Sequence, residues 1–456
     1  MTMNRLHIFF SGIGGSGVSA IAGFMADKGH VVSGSDRAFE KDPNHPACRT
    51  LKNKGVTIVP QDGSGIVPSL DLAVFSTAVE PDRPEYIRAK ALDVPVMTRP
   101  EYLSRIVSEY STIAVAGTSG KSTVSGMLAY LMSRLGLKPN FIGGGRVKQF
   151  RTESNAGNSL TGDSDLLVIE ACESDGTIVD YKPADTIILN LELDHHEVAK
   201  TAAMFGTLID NTSRLLIINA DDANLSSFFH DRTKHAATFA IDNAAKYRPA
   251  NLKFHPLGSE FTLGGVTFTL SIPGKYNLSN ALACIAFLME IGVSAKDISK
   301  VISDFEGVER RFDIHLDDGT HLVADDYAHN PHKIAALMQA ASALRKSICY
   351  IFQPHGFGPT RLMKDEYINS FSDGLRDSDH LILLPIFYAG GTASKDISSE
   401  DLARGIRKRG RSVEVVKDRN EVIRGLERWD NYIVMGARDE TLSAFARSIA
   451  LLLALE

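Results

Sequence analysis

The stretch AVAGTSGKST, residues 114–123, sets two glycines, a lysine and a hydroxyl pair between an apolar run and a segment of helical periodicity. A nucleotide loop of the form G-x-x-x-x-G-K-[ST] has four residues between its glycines, whereas only Thr118 and Ser119 separate Gly117 from Gly120 here. In isolation the stretch reads either as a shortened triphosphate cradle or as a tight turn with a solvent-facing lysine. As a cradle, Gly117 and Gly120 permit close backbone approach to phosphate, Lys121 neutralises its oxygens, and Ser122 offers a hydroxyl to magnesium as the helix begins.

Outward from this loop, LLVIEACESD (166–175), IILNLELDHH (187–196) and RLLIINADD (214–222) read as buried strands of the same sheet. Ligands of open α/β sheets collect beyond the carboxyl ends of strands, so the polar residues there are candidates: Glu170, Glu173, Asp175, Asn190, Glu192, Asp194, His195 and His196. A hard cation prefers oxygen, and one carboxylate with Ser122 and phosphate oxygens would hold magnesium, while His195 could hold a second ion. The bland reading makes Asp175 and Asp194 helix caps and His195 a hydrogen-bonded structural residue. HHEVAK is not the H-E-x-x-H zinc helix, because its last position is lysine.

Toward the N-terminus, LHIFF leads into SGIGGSG and a helical segment, with VVSGSD following. Gly12, Gly14 and Gly17 have G-x-G-x-x-G spacing and Asp36 ends the next strand, which is the fingerprint of a diphosphate-bearing ligand, NAD included. A structural turn is the alternative. Toward the C-terminus, HLVADD, SICYIFQP, HLILLPIF, SVEVV and NYIVMGA repeat the strand pattern and predict a third parallel sheet. There Arg310, Arg311, Asp325, Asp326, Tyr327, His329, Asn330, His355 and Arg361 stand at strand ends or at the junction.

The chain thus reads as α/β with three wound domains: a Rossmann-like one over 1–108, a central one over 109–306 opened by the candidate P-loop for ATP, and a second Rossmann-like one over 307–456. The 456 residues allow three cores of ordinary size, and a net charge of -6 argues against broad nucleic-acid binding. Cys48, Cys172, Cys284 and Cys349 lie far apart, which excludes a zinc knuckle or a disulfide framework and favours the reducing cytoplasm. No apolar run reaches the ~18 residues of a membrane span, and no export signal is evident.

Taken in order, GIGGSGVSAIA, GTSGKST, EACESD, NLELDHH, YNLSNALA, GVERRF and DDYAHNP resemble the Mur ligases of peptidoglycan synthesis, from about residue 6 to the C-terminus. The resemblance implies a magnesium- and ATP-dependent ligase that joins the carboxylate of UDP-N-acetylmuramate to L-alanine, or alternatively to a preformed peptide, in the cytoplasm, as a monomer or homodimer. It implies that Gly14, Gly15, Ser16 and Gly17 lie at the UDP diphosphate with Asp36 nearby, and that Ser76 and Thr77 line the sugar nucleotide. Gly117, Thr118, Gly120, Lys121, Ser122 and Thr123 would cradle ATP, with Glu173 on magnesium and His195 on a second ion. Asn280 would lie beside adenine, Arg311 on phosphate, and Asp325 and His329 at the ATP-facing strand end, while His355 and Arg361 face the incoming amino acid. The chain departs from the family pattern at Ser119, Asn330 and Lys333, and at Gly356 and Pro359, where the family usually has arginines.

Overall fold

The computed structural model describes residues 5–42, 44–194, 196–232, 236–388 and 394–455. The chain forms two compact units. One comprises residues up to Lys253 with Glu260–Ser271 and Asn277–Val308, and the other Phe254–Ser259, Ile272–Tyr276 and Glu309–Glu456.

The first unit holds two separate open sheets. In the N-terminal one, five parallel strands run in the spatial order Thr57–Ile58, Val31–Ser35, His7–Ser11, Leu72–Phe75, Val96–Thr98. Its central strand His7–Ser11 carries the apolar run Ile8–Phe10 and is enclosed on both faces from Ile8 onward, as a central parallel strand should be. The chain leaves it in one direction to reach Val31–Ser35 and returns on the other side as Leu72–Phe75. The loop 12–15 therefore opens at the reversal of strand order, where such sheets bind ligands.

The second sheet orders Ala237–Phe239, Leu215–Asn219, Asp185–Ile188, Ser111–Ala116, Leu166–Glu170, Asn140–Ile142 and Ser159–Leu160. All its pairs are parallel except the last. Ser111–Ala116 again sits at the reversal, between the strands that end at Glu170 and Ile188. Three loops, those after residues 116, 170 and 188, so converge at one edge. A hydrophobic cluster from Ile8 to Phe229 draws on both sheets, with Phe10, Phe24, Leu167 and Phe205 all fully enclosed.

In the second unit six strands run Asp313–Asp317, Leu322–Asp326, Asn431–Gly436, Cys349–Gln353, His380–Leu383, Val413–Val415. The sequence pattern predicts a parallel sheet, and four of the five pairings are parallel, but the edge strand Asp313–Asp317 is antiparallel to its neighbour. Only a short turn, held by Asp318 accepting from the Thr320 and His321 N–H groups, separates the two strands, and so short a link cannot make a parallel crossover. A further small sheet of Ala250–His255, Gly258–Leu263 and Val266–Leu270 has no counterpart in the sequence reading. No helix among the described residues is long and apolar enough to cross a membrane.

Candidate functional site

The short glycine loop is shaped by two residues with left-handed backbone, Gly117 at φ 144° and Gly120 at φ 87°. A Cβ on Gly120 would lie 2.6 Å from Asn280 Oδ1, so the asparagine carboxamide, delivered by helix Lys275–Glu290, rests directly on the loop. Asn190 clamps the other side: its Oδ1 accepts the Ser119 N–H at 2.7 Å and its Nδ2 donates to Ser119 O at 3.0 Å. Thr118 is buried, accepting from Glu192 N at 2.9 Å while its hydroxyl lies 3.2 Å from Glu192 O. With two residues fewer between its glycines, the loop keeps its shape through these contacts from the neighbouring strand end.

Lys121 opens helix Lys121–Arg134, and its side chain folds back to donate to Gly117 O at 2.5 Å and to Glu173 Oε2 at 2.9 Å. Burial lowers the Lys121 pKa, but the neighbouring Cys172 and Glu173 side chains outweigh it, so the ammonium is held above the ordinary lysine value. The helix has no acidic residue in its first turn and no side-chain cap, so its leading N–H groups and dipole face the loop mouth. Ser122 and Thr123, both buried, follow in the first turn.

Glu173 is 1% exposed, and its Oε1 has no hydrogen-bond partner among the described residues. A buried carboxylate oxygen with unused lone pairs, beside a glycine loop with a hydroxyl at its helix start, is a donor set that fits a hard divalent cation. Glu170 is otherwise engaged, accepting from Gly144 N and Gly145 N. Asp175 pairs with Arg99 at 2.7 Å and accepts from Thr177, which makes it structural. His195 lies outside the described residues.

In the N-terminal sheet, Gly12 N and Ile13 N donate to Ser35 O, and Gly15 N to Gly12 O. Helix Ser16–Asp27 begins without a side-chain cap, with Gly15 and Ser16 exposed at its tip, an arrangement suited to a diphosphate. Asp36 does not reach outward: Oδ2 accepts Gly14 N at 2.8 Å and Oδ1 accepts Ala38 N at 2.8 Å. It ties the loop to helix Arg37–Lys41. Ser76 donates its N–H to Ser11 O and accepts from Ala78 N, and Thr77 is exposed beside it.

In the second unit, Arg310 and Arg311 lie over the Tyr327 ring at 4.9 and 5.0 Å. Arg310 and Phe312 both take positive φ, 58° and 51°, so the segment carrying Arg311 is strained on either side. The adjacent aspartates face opposite ways. Asp325 is fully enclosed, 2.7 Å from His315 Nε2 and 3.4 Å from Arg310 Nε. Asp326 is half-buried beside Arg311 and accepts from Phe312 N and Ala328 N; burial pushes its pKa up to about 6 against the pull of Arg311. The strand-end carboxylate with an open side is thus Asp326, one residue beyond the expected Asp325. Asp313, His315 and Asp325 could group around a metal ion, but the Arg310 guanidinium already supplies the positive charge there.

His329 Nδ1 lies 2.9 Å from Tyr327 O, and its ring meets His355 edge-on at 5.2 Å. Asn330, where the family usually has histidine, accepts from Lys333 N and caps helix Pro331–Ser342. Gly356 takes φ 71°, a conformation that an arginine there would hold under strain. Arg361 donates to Ser394 O and pairs with Asp396. Sequence reasoning did not single out Glu85, which is buried under the first glycine loop, nor Asn158, which donates to Ser16 O at 3.0 Å. Pro84 and Glu85 mark a helix start, but no pattern reports that the carboxyl turns inward.

Family models match three successive stretches: "Mur ligase family, catalytic domain" at 7–111, "Mur ligase middle domain" at 115–288 and "Mur ligase, glutamate ligase domain" at 310–438. The chain is 32% identical over 459 residues to the UDP-N-acetylmuramate–L-alanine ligase of Lachnospira eligens, covering 96% of each. It is 31% identical to the protein of the same name from Nitrosospira multiformis, over 94% of this chain and 91% of that one. Among solved structures, the UDP-N-acetylmuramate–alanine ligase of Thermotoga maritima superposes with a TM-score of 0.80 at 25% identity, covering 99% of this chain and 100% of that one. A murein peptide ligase of Psychrobacter arcticus shares the fold, with a TM-score of 0.70 at 22% identity over 98% of both chains.

Proposed function

The chain belongs to the Mur ligase family, and from that premise we propose that it joins the carboxylate of UDP-N-acetylmuramate to the amine of L-alanine, converting ATP to ADP and phosphate. The names of the full-length relatives support this choice of substrates. Residues 1–108 would hold the sugar nucleotide, 109–306 ATP, and 307–456 the acceptor. ATP and a nucleotide sugar are cytoplasmic compounds, which supports a reaction in that compartment.

A carboxylate resists attack by an amine, because its charge is delocalised and oxide is a poor leaving group. In the proposed reaction a carboxylate oxygen attacks the γ-phosphorus, the bond to the bridging oxygen breaks, and ADP departs. The amine then attacks the acyl carbon, loses a proton, and expels phosphate. Such transfer depends on positioning and on charge stabilisation. Lys121 carries the permanent positive charge, and the N–H groups of the loop and of the uncapped helix start receive phosphate oxygens. Ser122 and Glu173 would hold magnesium and His195 a second cation. When bound, these ions neutralise the repulsion between carboxylate and phosphate. Arg311 would take a phosphate oxygen, and Asn280, against Gly120, would lie beside the base. His329, whose Nδ1 lies 2.9 Å from Tyr327 O, would take the proton of the amine.

The observation that carries this reading is the Lys121 ammonium, folded over the short loop between Gly117 O and the enclosed Glu173. The test is phosphate release from ATP with UDP-N-acetylmuramate and, in parallel, L-alanine, other amino acids or a tripeptide. Release with L-alanine is expected. Release with the tripeptide alone would transfer the chain to peptide recycling, and release with none would end the ligase reading.

A further inference from the structure

We infer that Glu85 is a positioning residue of the sugar-nucleotide seat, a buried carboxyl that fixes the two strand ends from which the first glycine loop springs. The inference rests on the reading of that loop as the UDP site.

Glu85 is the second residue of helix Pro84–Ala91, and its side chain is fully enclosed. One carboxyl oxygen meets the Ser11 hydroxyl and the other the Ser35 hydroxyl. These serines are register partners on adjacent parallel strands, and both are themselves fully enclosed. Each ends its strand, and each main chain holds part of the seat: Ser35 O receives Gly12 N and Ile13 N, and Ser11 O receives Ser76 N. One carboxyl group therefore sets the spacing of the two strand ends and, through their carbonyls, the course of the glycine loop and the position of Ser76.

The cost of such a placement argues that it is not incidental. An ionised carboxylate without a cation is expensive to enclose, and the partners here are hydroxyls, with a hydrogen bond from Gln61 in addition. Burial drives the Glu85 pKa above the ordinary carboxylate value, with Asp62 adding to the rise and the serine and Gln61 hydrogen bonds opposing it. The two carboxyl oxygens each bind one hydroxyl, and a glutamine amide fills the same volume with an oxygen that accepts from one hydroxyl and a nitrogen that donates to the other. Alanine can do neither, and leaves both hydroxyls and a cavity behind.

The expected consequence is confined to one substrate. In the full chain, Glu85→Ala should raise KM for UDP-N-acetylmuramate about tenfold or more while kcat and the KM for ATP and L-alanine stay within about threefold, the pattern of a lost binding contribution. Glu85→Gln should return the sugar-nucleotide KM to within about threefold of the parent. A KM unchanged in Glu85→Ala, or raised equally for ATP, would overturn the assignment, as would a glutamine variant no better than alanine. Should Glu85→Ala not fold, Ser35→Ala decides the matter: a selective rise in sugar-nucleotide KM supports the role, and an unchanged KM refutes it. Calorimetric titration of the unmodified chain with UDP separates the two levels. No binding of UDP sinks the substrate reading and this inference with it, whereas UDP binding with an indifferent Glu85→Ala variant sinks the inference alone.

Discussion

Lys121 and Glu173 form a pair in which each residue justifies the burial of the other. Their side chains are 12% and 2% exposed at 2.9 Å, so removing the lysine strands a carboxylate that also has an unpartnered oxygen. Breaking such a pair costs on the order of 3–5 kcal/mol, because the remaining charge is left uncompensated. Lys121→Ala should therefore lower the melting temperature, and adding Glu173→Gln should restore much of it by removing the stranded charge. Turnover should behave differently. Loss of a preorganised charge at the phosphate costs roughly 10²–10³ in rate, and the second substitution cannot return it. Stability and turnover measured over the four-member cycle check both halves; a Lys121→Ala variant with turnover near the parent value would end the proposed chemistry.

Elements explain what the sequence could and could not disclose. Apolar runs such as LLVIE and CYIFQ become central strands because parallel strands are enclosed on both faces, and their ends carry Glu170, Glu173 and His355 to the sheet edge as expected. The ribbon 250–270 escapes the same reading, since its first strand is mostly exposed and has no apolar run to mark it. Asp36 shows the limit within a motif. Its place at the end of the second strand matches an acid that grips a ribose, yet both oxygens accept backbone N–H groups, from Gly14 and Ala38. The motif specifies residue type and spacing, but the partner depends on where the following helix begins. As the cap of Arg37–Lys41 it contributes about 1 kcal/mol. Asp36→Ala should lose that amount in denaturant unfolding and weaken the sugar nucleotide through a loosened Gly14, while ATP affinity is unchanged. Equal loss of ATP affinity would mean that Asp36 supports the whole unit and not one loop.

At the scale of the molecule, the hydrophobic clusters define the cooperative units. The cluster running from Ile8 to Phe229 joins the first two sheets, so these have a common core despite their separate strand orders. Residues 312–453 contribute two clusters of their own, on the two faces of the six-stranded sheet, with Tyr350 and Phe352 in one and Cys349 and Ile351 in the other. Alternate residues of one strand thus build opposite layers, and the second unit has a complete three-layer core. A core that is complete in itself can melt by itself. Calorimetry should accordingly resolve two unfolding transitions, one for the first two sheets together and one for the C-terminal unit. UDP binds only within the first unit in the proposed function, so at about 100 times its Kd it should stabilise that transition by about 2.7 kcal/mol and leave the other in place. Three transitions would mean that the Ile8–Phe229 cluster does not couple the first two sheets, and a single two-state transition raised as a whole by UDP would mean that the two units unfold as one.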